Sequence, residues 1–177
     1  MHISSAPQFL EYWESLRGRT RRVVACIPPE QFEWTPRSGT FSLGDHVRHL
    51  ATMARYMFAE TVSGRSSQYA GCGRELADGY SVVLAYVDRL DAETRLIIGM
   101  LTPADLERKC LTPAGAPITA WKWLRAMAEH EVHHRAEIYL MLNLLQVPTP
   151  PLYGLTSEEV LARSRPAAAR DRDTGSA

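Results

Sequence analysis

The segment Ala128-Glu-His-Glu-Val-His-His-Arg-Ala-Glu-Ile138 holds most of the chemical capacity of this chain. His130 and His134 are four residues apart, and an α-helix stacks such a pair one turn above the other, so that two ring nitrogens can converge on one divalent cation. At 100° per residue the core stripe of this helix is Ala120, Trp123, Leu124, Met127, Met141, Leu142 and Leu145. His130 and His134 project within that face, and His133 points outside it. A single histidine on an apolar face is ordinarily a core residue with hydrogen-bonded nitrogens. Two at this spacing would desolvate several polar nitrogens among Met and Leu side chains, and a metal ion removes that cost by taking a lone pair from each ring. Glu131 falls on the inward face beside the pair, where a carboxylate acts as a general base or fixes an imidazole tautomer; the blander reading is a charged residue tolerated at the bundle mouth. Arg135 could meet an anionic substrate, although an exposed arginine is usually just solvated. Tyr56 and Trp123 read as core or pocket wall.

A third ligand has to come from another element. Helical periodicity is strong enough to define four long segments. Phe9, Trp13, Leu16, Val23 and Ile27 recur at helical spacing until Pro28-Pro29 stops the first. Ser42-Leu-Gly-Asp45 offers a capping box for the second, which carries Leu43, Val47, Leu50, Met53, Ala54 and Met57 and runs out near Gly64. Arg65 to Gly73 is a polar, glycine-rich loop in which Cys72 is a plain thiol. The third runs from about Gly79 to Leu101 and is interrupted by Thr102-Pro103. Leu111 to Pro117 is a loop or short extended hairpin, and the fourth helix, capped by Thr119, continues from Ala120 to about Gln146. Thr156-x-x-Glu159 caps a short extra helix. The expectation is an all-α, antiparallel four-helix bundle over residues 1–164, with residues 165–177 a disordered tail. The second helix supplies His46 and His49; periodicity puts His46 more centrally on the apolar face and His49 on its flank, a small margin in favour of His46.

With 177 residues, 45% of them hydrophobic, the chain can bury one adequate core without a structural metal, so a metal here is free to be functional. Twenty Lys and Arg balance twenty Asp and Glu, which gives no overall attraction to nucleic acid or anionic membranes. The cysteines, Cys26, Cys72 and Cys110, are odd in number and far apart, without a Cys-x-x-Cys pair. No run approaches the roughly 20 apolar residues of a membrane span. A cytoplasmic protein is expected.

Phe-Ser-Leu-Gly-Asp-His-Val-Arg-His49-Leu-Ala, His130-Glu-Val-His133-His134-Arg and the trailing Pro-Pro-Leu-Tyr-Gly-Leu-Thr resemble the DinB/YfiT-like metalloenzymes, over a stretch from Phe9 to about Val160. In that family the helix-two ligand directly precedes the Leu-Ala step. The resemblance therefore implies His49, His130 and His134 as ligands of zinc or nickel, with His46 the alternative ligand in a place where an apolar residue is more common. The family usually continues as Arg-Gly-Gln, whereas this chain has Arg135-Ala136-Glu137. Characterised relatives include transferases and isomerases that use mycothiol, bacillithiol or glutathione, so the resemblance also implies a small-molecule substrate, a low-molecular-weight thiol as cosubstrate and a homodimer.

Three neutral histidines leave an open coordination position, the layout of a catalytic rather than a structural ion, and thiol transfer to an electrophile is the expected reaction. His130-Glu131-Val-His133-His134 also fits the H-E-x-x-H pattern of zinc hydrolases and metalloproteases, with Glu158 or Glu159 as third ligand, although Glu137 stands where the metzincin extension needs Gly. A di-iron site is disfavoured because only Glu131-x-x-His134 has the required form. A non-enzymatic bundle, stabilised by metal or serving as a ligand-binding or stress-response module, is the remaining class.

Overall fold

The computed structural model describes residues 2–164; the expected disordered tail lies outside them. Four long helical stretches form the bundle: α1 (Ala6–Val24), α2 (Leu43–Thr52) with its continuation, α4 (Tyr80–Gly99) and α6 (Ala120–Leu144). The continuation of α2 is a π-helical segment, Met53–Ala59, followed by a last turn, α3 (Glu60–Val62). A short α5 (Pro103–Glu107) and a hairpin of β1 (Lys109–Leu111) and β2 (Pro117–Thr119) join α4 to α6, and α7 (Ser157–Ser164) closes the described chain.

The helix starts follow local chemistry. Ser5 Oγ accepts from Gln8 N ahead of α1, and Ser42 and Asp45 form a reciprocal capping box on α2. Thr102 and Asp105 form a second box, so the Thr102-Pro103 step that ends one helix also begins α5. Thr156 and Glu159 cap α7 as the sequence predicts. Thr119 is different: it makes no capping bond, and its hydroxyl accepts instead from Lys109 Nζ at 3.0 Å. The hairpin pairs Lys109 with Thr119, Cys110 with Ile118 and Leu111 with Pro117. Gly64, at φ 85°, terminates the second stretch in the left-handed conformation that a glycine accepts without strain.

Helix α1 packs on α4 and α6, and α2 packs on the same two. Consecutive helices α1 and α2 therefore lie across the bundle from each other. Contacts also give the directions. Arg17 meets Asp91 while Leu10 approaches Gly99, so α1 and α4 are antiparallel. His46 meets His134 while Thr61 meets Trp123, so the second stretch and α6 are antiparallel too. The other two neighbouring pairs run parallel: Arg48 reaches Ala77, just ahead of α4, and Arg55 reaches Glu93 further along α4, while His2, just ahead of α1, reaches Trp121 and Arg17 reaches Glu131 further along α6. Residues 63–79 make this path feasible, because a connection of that length spans well over the roughly 30 Å of a 20-residue helix.

The core is divided. One apolar cluster gathers Phe9, Trp13, Phe58, Ile98, Leu106 and Leu124. A second gathers Val23, Phe32, Leu43, Val83, Leu90 and Leu142. On α6 the residues between Ala128 and Ile138 include buried Glu131 and Arg135 together with His130 and His134. A polar layer thus crosses the bundle between its two apolar halves.

Candidate metal centre

His130 and His134 lie on α6 one turn apart, with ring centroids 4.5 Å from each other. His49, from α2, completes the group: its Nε2 is 3.1 Å from His130 Nε2, and its ring centroid is 4.6 Å from that of His134. One ligand atom from each of the three falls within 4.8 Å of the others. His46 does not join this trio. It is buried one turn earlier on α2, and its Nδ1 is 3.2 Å from Nδ1 of His134, in a second group completed by Glu137. His133 is exposed and outside both groups, as its helical angle predicts.

The imidazoles are neutral near neutral pH, each ring keeping one N–H and one lone pair. Burial first, then the neighbouring His134 and His46 rings, push the His49 pKa from its ordinary 6.5 to about 4. Burial again leads for His130, which is pushed down to about 3 with the help of His134 and His49. His134 and His46 are lowered by burial as well, against an opposing pull from the Glu137 carboxylate. Neutral rings carry free lone pairs, and His49 Nε2 and His130 Nε2 face each other at a distance close to the roughly 3.4 Å that separates two tetrahedral ligands of one zinc-sized ion. At most one proton can lie between them. The donor set therefore fits a single divalent cation.

Groups the sequence did not single out hold the rings in place. Tyr69 Oη lies 2.8 Å from His49 Nδ1, which leaves Nε2 of that ring turned toward His130. Tyr69 comes from the 63–79 connection, and Arg48 anchors that connection. Its guanidinium is fully buried, donates to the carbonyls of Cys72 and Ala77, and pairs with Glu33 and Asp45. Phe41 packs edge-on against both His46 and His49, and Phe58 against His130. Trp123 stands behind Phe58, with its Nε1 donating to Thr61 Oγ1 at 2.8 Å. Tyr56 is half-buried beside the second apolar cluster.

Glu131 is placed elsewhere. It is buried, and both carboxylate oxygens accept from Arg17 Nη1, at 3.0 and 3.3 Å. Arg17 also pairs with buried Asp91. Burial would lower the Arg17 pKa, but Glu131 and Asp91 outweigh it and hold the guanidinium charged. A carboxylate occupied in this way is not aimed at the imidazoles. Arg135, expected at the surface, is also buried and donates to the Leu16 carbonyl. Glu158 and Glu159 are exposed on α7 and belong to neither candidate ligand group among the described residues.

Residues 12–138 match the model of a protein family described as the DinB superfamily. The chain belongs to that superfamily. It is 24% identical over 150 residues to the uncharacterized protein YjoA of Bacillus subtilis, a match covering 82% of this chain and 94% of the relative. Solved structures of the superfamily share the fold. The DinB-like protein YjoA superposes with a TM-score of 0.66 at 19% identity, covering 82% of this chain and 96% of that one. A DinB-like protein from Bacillus cereus gives 0.69 at 15% identity, covering 85% and 99%. YfiT from Bacillus subtilis gives 0.63 at 18% identity, covering 81% and 89%, and is described as a probable metal-dependent hydrolase with an unusual four-helix bundle topology. Among the described residues of this DinB-superfamily chain, no helix is long and apolar enough to cross a membrane.

Proposed function

We propose that this protein is a metal-dependent enzyme acting on a small molecule, with His49, His130 and His134 as the ligands of one zinc or nickel ion. The observation that carries the reading is the convergence of three neutral imidazoles from two helices on one point. When bound, the ion supplies Lewis acidity, lowering the pKa of a thiol or water so that a thiolate or hydroxide is available near neutral pH. Tyr69 keeps His49 in the ligating orientation, and Phe41 and Phe58 pack against the His49 and His130 rings.

Of the two nucleophiles, a low-molecular-weight thiol fits better. Glu131 is held by Arg17 and is not placed to remove a proton. A thiol starts near pKa 8.5 and needs less help than water at about 15.7. The reaction proposed is S-transfer: the thiol gives its proton to solvent water, a sulfur–carbon bond forms at the electrophilic carbon, and the bond from that carbon to the leaving group breaks, the leaving group departing with its bonding electrons. Hydrolysis is the second reading, favoured by the likeness to YfiT. The same Arg17 contact weighs against an H-E-x-x-H protease, which needs the glutamate beside the ion. Protein loaded in turn with zinc, nickel, manganese or iron is expected to consume a thiol when an electrophile is offered, and His49→Ala is expected not to. If no loaded form consumes any thiol, S-transfer fails; ester or amide hydrolysis by the same samples would install the second reading. A homodimer, as the family resemblance implies, is proposed for the working enzyme and is checked by light scattering.

A further inference from the structure

The Nδ1 edge of His134 carries two groups that the three-histidine site does not use. Glu137 Oε2 lies 2.5 Å from His134 Nδ1 and 3.5 Å from His46 Nδ1, while the two Nδ1 atoms are 3.2 Å apart. That carboxylate oxygen is shut off from solvent and has no well-aligned hydrogen-bond donor. A buried anionic oxygen needs a proton donor or a cation beside it.

Two occupants would satisfy it: a proton on His134 Nδ1, or a second metal ion shared by His46, His134 and Glu137. Spacing separates them. Two ligand atoms each about 2.1 Å from one tetrahedral ion stand roughly 3.4 Å apart. The His46–His134 distance approaches that value, but the Glu137–His134 distance is far below it and is a close carboxylate–imidazole contact, which becomes a charge-assisted N–H···O bond once the N–H turns onto the oxygen.

We propose that Glu137 is a positioning residue: it accepts the Nδ1 proton of His134, with His46 closing the other side of that edge, and so turns the Nε2 lone pair toward His49 and His130. The proposal rests on the metal-site reading above. It gives Glu137, one turn beyond His134 on α6, a specific task, and it makes His46 a buttress rather than a ligand of the ion.

Two measurements on the full-length protein test it. In the ion-free protein near neutral pH, nitrogen-15 NMR of the histidine rings should show His134 as the Nδ1–H tautomer, and Glu137→Ala should shift it toward Nε2–H. In competition titrations with cobalt(II), the wild type should bind one ion per chain. Glu137→Ala should bind it about 10- to 100-fold more weakly, and Glu137→Gln, whose amide oxygen still accepts the proton, should recover most of the loss. Equal circular dichroism and melting of the two variants separates this from a folding defect. The proposal is overturned by an Nε2–H tautomer in the wild type or by unchanged cobalt affinity in Glu137→Ala. Two ions per chain, falling to one in Glu137→Ala, would overturn it in favour of a second ion site. A wild type that takes up no cobalt at all would sink the metal-site reading itself, a result distinct from an unaltered variant.

Discussion

Two buried polar groups sit side by side on α6 and solve the same problem in opposite ways. Around Glu131 the charges are matched within the protein: Arg17 serves Glu131 and Asp91 together, and Arg21 reaches Asp91 from the surface. Around His130, one residue earlier, neutral rings face one another, with His49 Nε2 and His130 Nε2 3.1 Å apart and room for at most one proton between them. The first cluster is closed and needs nothing from outside. The second relies on neutral rings that share protons at most, and one cation taking a lone pair from each ring would satisfy all three. Stability and the proposed metal binding are thus divided between adjacent residues about 100° apart on one helix.

Removing the closing charge should produce the largest effect. Arg17→Met takes the partner from buried Glu131 and leaves buried Asp91 with Arg21 alone, and is expected to lower stability by about 3–5 kcal/mol, read from urea unfolding of the ion-free protein. Those molecules that remain folded should keep their metal content, because Arg17 touches no imidazole of the candidate site. His130→Ala should reverse the pattern: cobalt or zinc affinity falls at least about 100-fold, while the ion-free fold survives. If instead His130→Ala unfolds the protein and leaves metal uptake intact, the contrast between the clusters collapses.

Acid sharpens the comparison. His49 and His130 titrate near 4 and 3 in the folded protein against about 6.5 when unfolded, so below pH 6.5 the unfolded chain binds more protons. Stability of the ion-free protein should therefore be fully present above pH 6.5 and decline as pH falls, with these two histidines contributing no further loss below about 3. Melting temperatures measured across that window check it, and replacing both histidines should flatten the slope. Trp123→Phe, which removes the bond to Thr61 behind the site, should cost about 1 kcal/mol in the same assay. Glu158→Ala should leave metal content unchanged; a loss would revive the protease ligand set.

The parts of this architecture visible in the sequence are those written in local spacing. Four amphipathic stretches, the i, i+4 histidines and the outward angle of His133 follow from one period of 3.6 residues. Choosing between His46 and His49 needs more, because both lie on inward-facing parts of α2 and both reach α6; what separates them is that His49 meets His130 as well as His134, while His46 meets only His134 of the pair. Family resemblance pointed to His49, and the fold puts that ring against His130. Glu131 was located correctly in angle but not in company: its partner is Arg17, 114 positions away, and no local pattern announces such a contact. Tyr69 and Arg48 are equally silent in sequence, since one acts from a loop and the other looks like any helical arginine. The parallel pairing of α2 with α4 depends on how residues 63–79 return along the bundle, a matter of three-dimensional path rather than composition.

The π-helical segment Met53–Ala59 has a consequence for how this fold can change. A π turn accommodates one residue more than an α turn, so it resets the phase between the stretch bearing His49 and the stretch bearing Glu60 and Thr61. Relaxing the segment to ordinary helix with no residue removed would swing one end about 100° relative to the other. Either the imidazole would leave its partners or the packing of Thr61 with Trp123 would be undone. The wide turn thus carries one residue more between 49 and 61 than an ordinary helix presenting the same two faces, so a single deletion within it is absorbed by a return to α-helical turns, whereas a deletion before residue 49 or after residue 61 has no such reserve.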